Sequence, residues 1–182
     1  MFWRFLVADD ANVDRFIVRD SDSRLGLRER LAVREWEASP FAVHTMRDHP
    51  NHNRPLNGGL WGGTRRVREL LRGVTMLNRI RSFSARNPYA LDRYSSDLTF
   101  LGRELWPLLR PDQIAHDSYS CERYPNSWPF PSRRGADFEH VGAVYDEWDH
   151  PRLSDVCPTL RACMLGRPVP LRCRRRPDFV YG

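Results

Sequence analysis

Apolar positions along this chain fall into short blocks, separated by charged and Pro- or Gly-rich stretches. The first block, MFWRFLVADD, predicts a short helix or lead-in segment anchored by Phe2, Trp3 and Phe5. Asn12 to Asp14 makes a turn. Arg15 to Arg19 then reads as a strand whose run Phe16-Ile17-Val18 is of the kind buried in parallel sheets. Ser23 is placed to cap a helix over about residues 24–38, with Leu27, Leu31, Ala32 and Trp36 as its apolar stripe. Ser39-Pro40 stops it, because the residue before proline is pushed out of the helical region.

FAVHTM (41–46) predicts a second strand, and the polar run RDHPNHNRPLNGG a loop. From Thr64 the pattern TRRVRELLRG predicts a helix with Val67, Leu70 and Leu71 inward and Gly73 as its stop. Residues 75–94 fit no single period. DLTFLGRELWPLL is helical, capped by Ser96 or Asp97, with Pro107 marking a kink or an end. QIAHDSY is a short strand ending at His116-Asp117, and CERYPNSWPFPSRR is loop. Strands alternating with helices predict an α/β domain over residues 1–150. Residues 151–182, rich in Pro and Arg and poor in periodicity, read as a disordered or irregular C-terminal extension.

Composition changes this picture in three places. The 182 residues and 41% hydrophobic content suffice for a real core. No apolar run reaches the roughly 20 residues that cross a bilayer, and the start lacks a secretory pattern; a cytoplasmic location is the default expectation. The net charge of +6 is all arginine, with no lysine, and is concentrated beyond residue 150: seven Arg stand there against two acids, leaving 22 Arg against 21 acids in the body. A polyanion-binding role would therefore belong to the basic cluster RCRRRP alone; no nucleic-acid motif supports it. Cys121, Cys157, Cys163 and Cys173 contain no CxxC pair, so free thiols in a reducing compartment are expected; Cys157 and Cys163 could bridge, but nothing requires it.

The candidate chemistry starts at FIVRDSDSRL. Asp20 and Asp22 stand two apart just past a strand, so both can converge at its carboxyl end, where open α/β sheets hold ligands. Paired carboxylates repel unless a positive charge sits between them, and a Mg²⁺ or Mn²⁺ ion holding a diphosphate is one way to supply it. Two surface acids capping the next helix are the plainer reading. Arg19 and Arg24 flank the pair and could meet negative charge on a leaving group, or simply pair with the acids. In the following loop His49 and His52 lie three apart; they lack a third metal ligand at a convincing spacing and are better placed to line a sugar pocket. NGGLWGG offers the Gly58-Gly59 backbone for close approach to a ligand and Trp61 for stacking on a sugar ring. His44 reads as a core residue, and His140, His150 and Glu139 as surface.

Taken in order, FIVRDSDSRL, RERLAVREW, MRDHPNHNRPLNGGLWGG, SDLTFLGRELWP, AHDS, PFPSRR and VGAVYDE resemble a family of predicted GT-A-type glycosyltransferases, over roughly residues 2–148. The resemblance implies a Rossmann-like nucleotide-diphospho-sugar transferase domain that moves a sugar from its nucleotide donor to an acceptor with a divalent metal, Mn²⁺ or Mg²⁺. It implies Asp22 as metal ligand, Asp20 on the metal or the nucleotide ribose, His116 or Asp117 as a late ligand, and Asp97 facing the acceptor. The family carries Gln after that last Asp, where this chain has Leu98. It also places a base-binding βαβ portion before the DxD strand, which here arrives by residue 20, so the expectation is a partial GT-A domain. Two rivals follow. One is a non-catalytic remnant or binding protein. The other is a haloacid-dehalogenase-type phosphotransferase, which usually needs a lysine this chain does not have.

Overall fold

Three apolar blocks become strands where the pattern puts them: β1 (Arg15–Arg19), β2 (Val43–Arg47) and, after a third strand, β4 (Gln113–Asp117). That third strand, β3 (Leu60–Thr64), occupies the stretch expected to be a ligand-facing loop, and a two-residue β5 (Ser127–Trp128) closes the set. The structure, a computed structural model, describes residues 1–90, 92–124, 126–152 and 159–182.

The five strands form one mixed sheet in the order β1-β3-β2-β4-β5. β3 runs antiparallel to both β1 and β2, whereas β2, β4 and β5 are parallel. β1 is therefore an edge strand with one wet face, not a doubly buried parallel strand: Phe16 and Val18 point in, and Ile17 is 42% exposed. The doubly buried strands are β2 and β4, in each of which all five residues are buried. Gly62 explains how β3 fits between its neighbours, since a Cβ there would lie 3.3 Å from the Ile17 Cα and closer still to the Phe16 carbonyl.

One face of the sheet carries the larger core. The 3₁₀ helix Phe2–Asp9 inserts Phe2 and Phe5 against Trp61, Phe83 and Phe100, and Trp61 packs edge-on to Phe16 at 5.3 Å. Trp3, expected as a third anchor, is 77% exposed. The same core takes α2 (Val67–Leu70), α3 (Met76–Arg86) and α4 (Ser96–Phe100). α4 runs through a π-helical turn, Leu101–Leu105, into α5 (Trp106–Leu109). Thr75 caps α3 by accepting from the Asn78 amide, which settles the stretch that fits no period.

The other face takes α1 (Leu27–Glu37), which starts at Gly26 and not at Ser23; the Ser23 hydroxyl instead donates to the Asp20 carbonyl at 2.8 Å. Its buried residues are Arg28, Glu29, Ala32 and Trp36, and Leu27 is exposed. The helix thus buries charge as well as apolar surface, because the sheet beneath it ends in carboxylates.

Residues 159–182 are irregular but packed. α6 (Leu160–Leu165) is capped by Thr159, Cys173 forms a disulfide with Cys121, and Arg134 donates to the carbonyls of Tyr181 and Gly182. Of the two alternatives expected for the extension, residues 159–182 are irregular and not disordered, and for this cysteine pair the expectation of free thiols is corrected. Two of its basic residues pair with the body, Arg175 with Glu35 at 2.7 Å and Arg172 with Glu122 at 3.6 Å, while Arg174 and Arg176 bond within the tail. The Cys157–Cys163 bridge lies outside the described residues. Among the described residues no helix is long and apolar enough to cross a membrane.

Candidate functional site at the carboxyl edge of the sheet

β1, β2 and β4 all end on the same edge of the sheet, and each is followed by or ends in an aspartate: Asp20, Asp48 and Asp117. Three carboxylates on one edge demand compensating charge. In every case an arginine supplies it.

Asp20 accepts from Arg4, and the same guanidinium donates to Asp97 at 2.6 Å. Arg4 and Asp97 are nearly enclosed, with side chains 14% and 4% exposed, while the Asp20 side chain is 50% exposed. Gly58 and Gly59 lie directly over this triplet. A Cβ on Gly58 would fall on the Arg4 guanidinium and within 2.8 Å of Asp97; on Gly59 it would fall on the Asp20 carboxylate. Sequence reasoning thus selected four residues, Asp20, Asp97, Gly58 and Gly59, that the fold brings together, and missed the Arg4 that joins them. Its signal was a lone charge inside an otherwise apolar opening run.

Asp48 is fully buried. Arg28 donates to it at 2.9 and 3.0 Å, Arg134 at 2.8 and 3.2 Å, Ser118 at 2.7 Å and the Val141 amide at 3.0 Å. Burial alone would raise its pKa, yet Arg134 and Arg28 hold it far below the usual carboxylate range. Asp117, expected as an alternative late ligand, is equally enclosed: Arg47 donates to it at 2.6 Å, and it accepts from the amides of Tyr119 and Ser120.

The remaining candidates separate from the acids. Asp22 is exposed beside Asp20. Arg19 is turned inward onto Glu29 beneath α1, and Arg24 pairs with Asp149 over the Tyr145 ring. Trp61 is fully buried in the core, so it offers no face to a sugar.

His116 lies on β4, three strands from β1, which at about 4.8 Å per strand puts it roughly 14 Å from the acids along the sheet. Both its ring nitrogens are engaged, Nε2 with Glu35 at 2.9 Å and Nδ1 with His44 at 2.8 Å. His44 stacks on Trp36 at 5.2 Å. Burial lowers the pKa of both histidines, with Glu35 pulling His116 partly back. The implied metal set of Asp20, Asp22 and His116 therefore does not fit this chain: one ligand is remote and engaged, and another is already bonded to Arg4.

His49 and His52 stand apart from Trp61 and face His140, with ring centroids 4.5 to 5.7 Å apart. His140, read as surface, is half-buried. Burial depresses all three pKa values, His49 to about 4 and His140 to about 3.

No family model matches the chain, nor does any curated protein or solved structure.

Proposed function

We propose that the carboxyl edge of the sheet binds a nucleotide-diphospho-sugar, and that the domain is a Rossmann-like, GT-A-type glycosyltransferase acting on that donor. The observation that carries this reading is the triplet Asp20–Arg4–Asp97 beneath the side-chain-free Gly58–Gly59 backbone.

Its chemistry suits a ligand rich in hydroxyls. An ionised carboxylate is an acceptor only, and a sugar or ribose presents paired O–H donors to it. Arg4 holds Asp20 and Asp97 in place, so little side-chain freedom is lost when such donors arrive. Gly58 and Gly59 are buried, and their lack of side chains lets the backbone pack directly on Arg4, Asp97 and Asp20, which fixes the carboxylates further. In this reading Asp97 serves the acceptor side and Asp20 the donor side. With Asp22 the site carries three acids against one arginine, so a diphosphate needs further positive charge. Arg24 is one source on this chain: its pair with Asp149 is on the surface, and such pairs are worth only about 0–1 kcal/mol. A Mn²⁺ or Mg²⁺ ion would supply the same charge, although the chain's residues are not gathered for one.

One observation favours a second reading, a binding protein without catalysis: the place between the acids is already filled by Arg4. Incubation with labelled uridine and guanosine diphospho-sugars, with and without Mn²⁺, separates the two. Sugar transfer or donor hydrolysis that Asp97→Asn abolishes supports the transferase. Binding without turnover under every condition supports the second reading.

A further inference from the structure

The three histidines gathered beyond β2 take no part in the sugar-nucleotide site proposed above. His49 and His52 come from the loop after that strand, and His140 from the segment that returns over it. We propose that His49, His52 and His140 bind one divalent transition-metal ion of the Zn²⁺ class, with a coordination position left to solvent. This site is independent of the sugar-nucleotide reading.

The spacing of the rings is the first argument. A tetrahedral ion bound at about 2.05 Å by imidazole nitrogens holds the ring centres about 3.2 Å from itself, and hence about 5.2 Å from one another. The observed centroid separations are 4.5, 5.5 and 5.7 Å. As the side chains stand, no group of three or more His, Cys, Asp or Glu among the described residues is in position to hold a metal ion, so these rings must turn to do so. The histidine χ2 torsion is soft and broadly two-fold, and turning the rings about Cβ–Cγ re-aims the nitrogens while leaving the centroids almost where they are.

Unmet bonding is the second argument. Nδ1 of His52 and Nδ1 of His140 are both buried without a partner. Buried polar atoms are nearly always satisfied, and leaving two of them bare within one small cluster costs free energy that an ion would recover. His49 is restrained from the other side, since its Nδ1 accepts from the Asn51 amide at 3.1 Å, leaving Nε2 for a ligand.

The ion class follows from the donor atoms. Three nitrogens with no carboxylate among them select Zn²⁺, Co²⁺ or Ni²⁺ over Mg²⁺, Ca²⁺ or Mn²⁺. The sequence offered only two histidines at a ligand-like spacing; the fold supplies the third.

The test uses the whole chain, stripped with chelator and titrated with Zn²⁺ alone by calorimetry and Co²⁺ alone by visible absorption. One equivalent should bind, with the intense Co²⁺ bands of four-coordinate geometry. His49→Ala and His140→Ala should each weaken binding by at least about tenfold, and His150→Ala, at an exposed histidine, should not. Absence of stoichiometric Zn²⁺ binding, or full affinity in both alanine variants, overturns the proposal. Should those variants fail to fold, nitrogen-detected imidazole spectra of the wild-type chain decide: Zn²⁺ must shift the ring nitrogens of His49, His52 and His140 and leave those of His150. Unshifted rings overturn it equally.

Discussion

Arg4 and Asp97, far apart in the chain, meet at 2.6 Å, and the same guanidinium holds Asp20. One arginine from the opening 3₁₀ helix thereby fixes the end of β1 to the start of α4. Arg4→Met leaves Asp97 charged, nearly buried and without its ion-pair partner, and should destabilise the domain by about 3 kcal/mol. Urea unfolding checks this; a loss below about 1 kcal/mol would mean that the ion pair is dispensable. Asp97→Asn keeps the shape and removes the charge, so it should cost less.

Asp48 has more at stake. Its two arginines, one hydroxyl and one amide leave it dependent on complete pairing. Arg134→Met should cost about 3–5 kcal/mol, because an incompletely paired buried charge remains. The double variant Asp48→Asn/Arg134→Met should be more stable than the two single losses added together; additive losses measured by urea unfolding would refute the coupling.

The glycine over the acids makes a sharper test of the site than of stability. A Cβ at Gly59 meets the Asp20 carboxylate and lies 2.8 Å from the Asp20 amide nitrogen, whereas at Gly166 it meets nothing within 4 Å. Gly59→Ala should lower donor affinity by at least about tenfold, equivalent to about 1.4 kcal/mol. Gly166→Ala should leave it unchanged.

Much of this architecture was legible in the sequence, and the exceptions have physical causes. β1, β2 and β4 are short segments built around apolar residues (Phe16-Ile17-Val18, Val43 and Met46, Ile114-Ala115) between polar stretches, so the pattern finds them. β3 was hidden because LWGGT carries two glycines, which weaken strands in general but which this one needs to pass close to Phe16 and Ile17. Burial of Arg28 and Glu29 in α1 defeated the simple apolar stripe, since their partners Asp48 and Arg19 belong to other elements. Asp20 and Asp117 were readable at their strand ends and Asp48 was not; the arginines that neutralise them were hidden too, because Arg4 and Arg134 are distant in sequence and the pattern holds no information about such pairs. The disulfide was unreadable for the same reason.

Acid should loosen the fold through its buried histidines. His44 and His116 are held below their ordinary pKa by burial, so the folded state binds fewer protons than the unfolded chain. Their stabilising contribution is complete above about pH 6.5 and falls as pH drops below that value, by up to about 1.4 kcal/mol per pH unit for each proton. Denaturation midpoints at pH 7.5, 6 and 5 should decline in that order in metal-free protein. A flat profile would contradict the neutral pair.

The tail should be held by its disulfide. Cys121–Cys173 closes a separation of 52 residues, for which the loop-entropy estimate is about 4 kcal/mol. Cys173→Ser should lower stability by an amount of that order and speed proteolysis beyond residue 159. An unchanged melting temperature would show that the packed end of the chain does not depend on the bridge.

The most direct measurement of the central claim is calorimetric titration of the full chain with a panel of uridine and guanosine diphospho-sugars, repeated on Asp20→Asn and Asp97→Asn. The predicted result is binding of at least one donor, weakened at least about tenfold in both variants. Absence of binding across the panel, or binding that both substitutions leave intact, would contradict a sugar-nucleotide site at the carboxyl edge of this sheet.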